Sequence, residues 1–220
     1  MDFKEMLNKS RGYDKVKEKE QEAEERQKGR ISRFWLPPEG ETKIIFLDDD
    51  PIIIEEHQLK IKGDWRNWFT CKRPLGETCI ICDELGDSPY TVGFYTILDL
   101  AKYTDSKGNE RKNTIKLLAA KLKALGLIKR YSQKREGLAL WVCDVYRSGP
   151  DSFNIGDTFE FEEKTDWESI KKLNPEAEVI NYEEVLAPKP DRDIKKILSR
   201  STEGNLDSGV DEVGEDEVDF

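Results

Sequence analysis

Histidine is almost missing from this chain: His57 is the one imidazole among 220 residues. Catalysis by a histidine general acid or base therefore has a single candidate, and none if that ring serves another purpose. The phosphate-cradling G-x-x-x-x-G-K-[ST] loop, the G-x-S-x-G nucleophile elbow and the H-E-x-x-H zinc-protease helix are all absent. No run of about 18 apolar residues spans a bilayer, and Met1-Asp2-Phe3-Lys4-Glu5 is not the apolar stretch of a signal peptide. The expectation is a non-enzymatic, soluble, intracellular protein with no membrane partner. Cysteine is scarce too, and three of the four cysteines fall within twelve residues. With nothing to indicate export, metal ligation explains them better than disulfides.

Charge of one sign is missing at the end of the chain. After Arg200 there are eight acids and no Lys or Arg, so the net charge of −10 reduces to −2 over residues 1–200. A net negative charge argues against polyanion partners only if it is spread evenly. Here residues 102–135 hold eleven Lys or Arg against two acids, Asp105 and Glu110. That is a cationic stripe inside an acidic protein.

The remaining composition divides the chain. Residues 1–30 carry nine bases and eight acids and read as a charged N-terminal arm. Arg33-Phe34-Trp35-Leu36-Pro37-Pro38 ends it, because each proline fixes φ and extends its predecessor. A core follows over 31–165. Strands are expected at Lys43–Leu47, Ile52–Ile61, Val92–Tyr103, Leu138–Tyr146 and Thr158–Glu162, each rich in β-branched or aromatic residues. Asp105-Ser106-Lys107-Gly108-Asn109 reads as a turn, and Thr114–Leu125 as a helix with Ile115, Leu118, Ala119, Leu122 and Leu125 on one face and Gly126 as its stop. Residues 166–200 form an extension, helical near Trp167–Leu173 and broken by Pro175, Pro188 and Pro190. Residues 201–220 read as a disordered acidic tail. The fold class expected is mainly β with added helices, a five-stranded barrel carrying a zinc-bound subdomain between flexible termini.

His57 is followed by Cys71 after thirteen intervening residues, Cys79 after seven more and Cys82 after two. A Cys-x-x-Cys turn places two thiolates on one side of a tight loop; a third cysteine and a histidine from a neighbouring strand complete a tetrahedral Cys₃His set suited to zinc. Four protein ligands leave no position for a reacting water, so one structural Zn²⁺ per chain is expected. Cys143, beside Trp141 and Val142, reads as a small buried hydrophobe. Asp48, Asp49 and Asp50 would suit a nuclease metal, but a turn after the first strand explains them more simply.

Rings and cations alternate around the metal loop at Trp65, Arg66, Trp68, Phe69, Lys72 and Arg73. They alternate again at Phe94, Tyr95, Lys102, Tyr103, Lys107, Arg111, Lys112, Lys116, Lys121, Lys123, Arg130 and Tyr131. Unstacked bases need this mixture, because rings stack on any base while Lys and Arg follow the phosphates without reading sequence. In a strand many such rings also serve as core, and helix lysines also serve as a solvated face.

These residues together resemble the single-stranded DNA-binding, helix-destabilising proteins of tailed phages. The metal pattern His57, Cys71, Cys79 and Cys82 carries the resemblance, with Arg33-Phe34-Trp35-Leu36-Pro37 leading into Ile44-Ile45-Phe46-Leu47, the basic and aromatic strands, and the acidic tail. The resemblance implies an OB-fold core that protects single strands in replication, recombination and repair in the cytoplasm of the host bacterium. It also implies a tail, tipped by Asp216, Glu217, Asp219 and Phe220, that recruits replication, recombination or repair proteins. The family's N-terminus is basic and cooperative, whereas this arm is mixed in charge and suits an interaction helix, with self-association through it as a further expectation. The competing readings are a zinc-containing transcription or replisome adaptor that binds proteins, and a metal-dependent nuclease.

Overall fold

The computed structural model describes residues 31–104 and 108–199. Its centre is an antiparallel sheet of seven strands: β1 (Glu41–Phe46), β2 (Ile52–Gln58), β3 (Trp68–Thr70), β4 (Tyr90–Asp99), β7 (Thr114–Lys121), β8 (Trp141–Tyr146) and β9 (Thr158–Lys164). Two short strands, β5 (Tyr103–Thr104) and β6 (Glu110–Arg111), form a separate hairpin between β4 and β7. The helices are α1 (Ile80–Glu84), α2 (Leu122–Arg135), α3 (Trp167–Leu173), α4 (Tyr182–Val185) and α5 (Asp191–Ser199).

The strand β4 organises the sheet. One of its edges is paired with β7 from Val92↔Lys121 to Asp99↔Thr114. Its other edge is shared by β2, from Glu56↔Tyr90 to Ile52↔Phe94, and then β1, from Phe46↔Ile97 to Ile44↔Asp99. The chain bends between β1 and β2, and the Asp48 carboxylate accepts the Thr96 N–H there, at 3.0 Å. The order continues from β1 through β8 to β9. The second edge of β7 takes residues 32–34, with Leu117 N–H donating to the Ser32 carbonyl and Phe34 N–H to the Leu117 carbonyl. Among the described residues β7 and β9 do not pair, so the sheet is mainly antiparallel β but not a closed five-stranded barrel.

Both faces of β4 are covered, which is why Val92 through Asp99 are all buried. Tyr95 and Ile97 join Phe46, Leu118, Ala124 and Ile128 in the main core beneath α2, with Phe46 and Tyr95 meeting edge to face at 5.5 Å. Gly93 lies on that side because a Cβ there would come within 2.7 Å of Leu125. On the opposite face Val92, Phe94 and Leu98 meet Ile170, Ala177 and Ile180. Residues 166–199 thus form a strap along β4 rather than a free extension. Asn113 and Asn174 tie it at the hairpin end, Tyr182 at the middle and the Thr70 hydroxyl, donating to the Leu186 carbonyl at 2.8 Å, near the metal loop.

The expected helix over Thr114–Leu125 is corrected: Thr114–Lys121 is strand β7, and α2 begins at Leu122. A strand covered on both faces loses its alternation, so Leu117-Leu118-Ala119-Ala120 offers no period-two signal. Gly126 lies inside α2, whose end is capped instead by Glu136 and Gly137 at φ of 55° and 112°.

Candidate functional site

The four candidate metal ligands are assembled by one hairpin and one helix turn. β2 pairs with β3 so that His57 faces Phe69, and Cys71 follows β3 with its N–H bonded to the Glu55 carbonyl. Cys79 is the residue before α1 and Cys82 lies in its first turn. All four are buried, and their donor atoms lie within 4.8 Å of one another. Cys71 Sγ and Cys82 Sγ are 3.7 Å apart, and His57 Nε2 is 3.5 Å from Cys79 Sγ and 3.4 Å from Cys82 Sγ. A tetrahedron with metal–sulfur bonds of about 2.3 Å and a metal–nitrogen bond of about 2.05 Å has edges of about 3.8 and 3.5 Å. The group could hold a metal ion such as zinc.

Its electrostatics favour that occupant. Burial opposes ionisation of Cys79, but backbone N–H groups of Lys72, Cys82 and Ile81 outweigh it and bring the thiol to about 6. Burial and the neighbouring sulfurs push Cys82 up to about 12, and burial raises Cys71. Three thiolates cannot share so small a volume without a cation among them. On the far side of the ring, Asp87 Oδ2 lies 2.6 Å from His57 Nδ1, the carboxylate–histidine arrangement that orients metal ligands. Asp87 has no place in the sequence pattern, because a carboxylate five residues after a Cys-x-x-Cys carries no spacing rule. Cys143 is buried in the main core, where burial raises its thiol well above the ordinary range.

The expected nucleic-acid residues divide into three groups. Phe69, Phe94 and Tyr95 are buried, and they fill cores instead of facing solvent. Tyr131 is half-buried against Phe159 and Phe161. Trp68 lies under the Arg33 guanidinium, 4.1 Å from its ring centre, while Arg33 grips the buried Glu56 through both carboxylate oxygens at 2.8 and 2.5 Å. Tyr90 donates to the same Glu56 at 2.6 Å. Phe69, Phe94 and Tyr95 are structural.

A second group is compensated within the chain. Lys116 is held by the buried Asp99 at 2.6 Å and Lys72 by Asp191 at 2.7 Å, while Arg66 and Arg73 pair with Asp64 and Asp83 at the surface. Asp48 and Asp49 are equally engaged, Asp48 with Thr96 and Tyr182 and Asp49 with the Ala139 N–H, so these carboxylates are accounted for by the fold.

The third group is exposed. Tyr103, Lys102, Arg111 and Lys112 lie on the hairpin beyond β4, and Trp65 is half-exposed on the metal loop with Lys60 over its ring at 5.5 Å. Lys121 stands 4.3 Å over Tyr90, and Lys123 and Arg130 lie on α2. Within the described residues Lys102, Lys112, Lys121, Lys123 and Arg130 make no ion pair. Lys129 and Lys134, which the sequence pattern does not single out, share that property. The available signal is that residues 122–135 hold five bases and no acid. Lys107, the arm and the tail residues Asp216, Glu217, Asp219 and Phe220 lie outside the described residues.

No helix among the described residues is long and apolar enough to cross a membrane. No protein-family model matches the chain, and no curated protein is similar to it.

Proposed function

We propose that this chain binds single-stranded DNA without sequence preference, and does so without catalysis. It protects and organises exposed strands during phage replication, recombination and repair in the host cytoplasm. The observation that carries this reading is the segregation of uncompensated charge. An acidic chain keeps unpaired cations clustered at Lys102, Lys112 and Lys121 and along α2, a stretch almost without acids, while Arg66, Lys72, Arg73 and Lys116 pair with local acids. Such a surface attracts a phosphate backbone. Exposed Tyr103 and half-exposed Trp65 supply faces on which bases stack.

In this reading the core is an OB-fold-like sheet whose bent first strand is β1 and β2 together, and the Cys₃His group holds one structural zinc. The zinc would fix the metal loop, and with it Trp65, against the sheet. The acidic tail recruits replication proteins and competes with DNA for the cationic surface. Fluorescence titration with single- and double-stranded oligonucleotides tests the proposal: tighter binding of single strands, weakening with salt, is expected. Equal affinity for both forms overturns it.

A further inference from the structure

We infer that the bound strand runs along the outward face of α2, from Lys123 to Lys134, and not along the outer face of the β4–β7 pair. The inference rests on the strand-binding reading above and assigns that reading a path.

The outer face of β4 and β7 is occupied. The strap lies on it through Ile180 and Tyr182, and its segment 174–188 exposes Glu176, Glu178, Glu183 and Glu184 with no Lys or Arg among them. A phosphate backbone approaching that face meets acids first.

The outward face of α2 has the opposite character. Lys123, Arg130 and Lys134 follow at intervals of seven and four residues, which places them in one line along the helix, and Lys129 lies about a quarter-turn further round, on the far side of Gly126. All four are exposed, and within the described residues none makes an ion pair. From Lys123 to Lys134 the line is about 16 Å long at 1.5 Å per residue, the length of about five stacked nucleotides at 3.4 Å each.

Two local features of α2 work against the helix and are explained by a ligand. Arg130 and Lys134, four residues apart, repel each other. Gly126 lies exposed in mid-helix although a Cβ there would meet nothing within 4 Å, so packing does not require it. Its missing side chain leaves the helix backbone open to close approach, next to the cationic line.

The test uses the full chain and labelled oligothymidylate across a salt series. Variant one carries Lys123→Gln, Lys129→Gln, Arg130→Gln and Lys134→Gln. Variant two carries Lys171→Gln, Lys172→Gln, Lys195→Gln and Lys196→Gln, an equal change of net charge placed on the strap. Far-UV circular dichroism and thermal melting establish that both are folded. The expected result is that variant one alone lowers the slope of log affinity against log salt, by up to about 2.8 for four contacts at about 0.7 each. An unchanged slope in variant one overturns the inference. Equal losses in both variants also overturn it, as a general charge effect. Failure of the wild-type chain to bind at any salt concentration is a different result, because it removes the strand-binding reading itself.

Discussion

His57 is held from both ring nitrogens, with sulfur ligands around Nε2 and Asp87 at Nδ1. An asparagine at position 87 keeps the size but not the charge that orients the ring and strengthens its basicity. Asp87→Asn is therefore expected to weaken zinc binding about 10- to 100-fold. Competition against a chromophoric chelator measures this directly; equal affinities in variant and wild type would remove Asp87 from the site. Gly126 calls for a different measurement. With open space where its Cβ would stand, Gly126→Ala should raise the stability of the chain by about 0.5–1 kcal/mol, read from urea unfolding. A loss of stability would show that the glycine has a packing role after all.

At the scale of elements, β4 and the strap depend on each other. Thr96 at the bend of the sheet is bonded to Asp48, Tyr182 and the Ile180 N–H, so one polar node joins β4, the β1–β2 turn and the strap. Tyr182→Phe leaves Asp48 without its hydroxyl donor in a half-buried position, at an expected cost of about 1–3 kcal/mol. The same node makes stability depend on pH. Burial raises the Asp48 carboxyl, against the hydrogen bonds from Tyr182 and Thr96. The folded protein thus keeps a proton that an unfolded aspartate, with a value of about 3.9, has released. Asp48's contribution is full below that unfolded value and is lost as pH rises through the raised folded one. Asp48→Asn should flatten the fall of the urea midpoint with rising pH across this window, and a profile parallel to that of wild type would count against the node.

For the whole molecule, charge is the variable to change. Removing residues 201–220 takes eight acids away and brings the net charge from −10 to −2. The shortened chain is expected to bind oligothymidylate more tightly at low salt, with the difference closing as salt rises. Identical affinities at low salt would show that the tail does not compete. Metal removal acts on the fold as a whole, because β3, α1 and α5 pack on the ligand cluster through Phe69, Ile81 and Ile194. Chelation should lower the thermal midpoint, and elemental analysis should find about one zinc per chain.

The clustering of His57 with the three cysteines was legible in the sequence because candidate ligation is a matter of residue type and short spacing, and Cys79-Ile80-Ile81-Cys82 with a lone histidine leaves few other readings. The β-rich character, the helix at Trp167 and the cationic stretch over 102–135 were legible for the same reason: each is a property of neighbouring residues. Tertiary structure alone decided what those neighbours face. Phe94 and Tyr95 point to opposite sides of β4, so any single exposed face would have presented one of them. Both are buried because α2 covers one side and the strap, some 80 residues further along, covers the other. The same long-range packing turned 114–121 from an expected helix into a strand, and it matched Lys116 with Asp99 and Lys72 with Asp191. Which cations remain for a ligand is settled by those partners, and partners distant in the chain leave no mark on a local pattern.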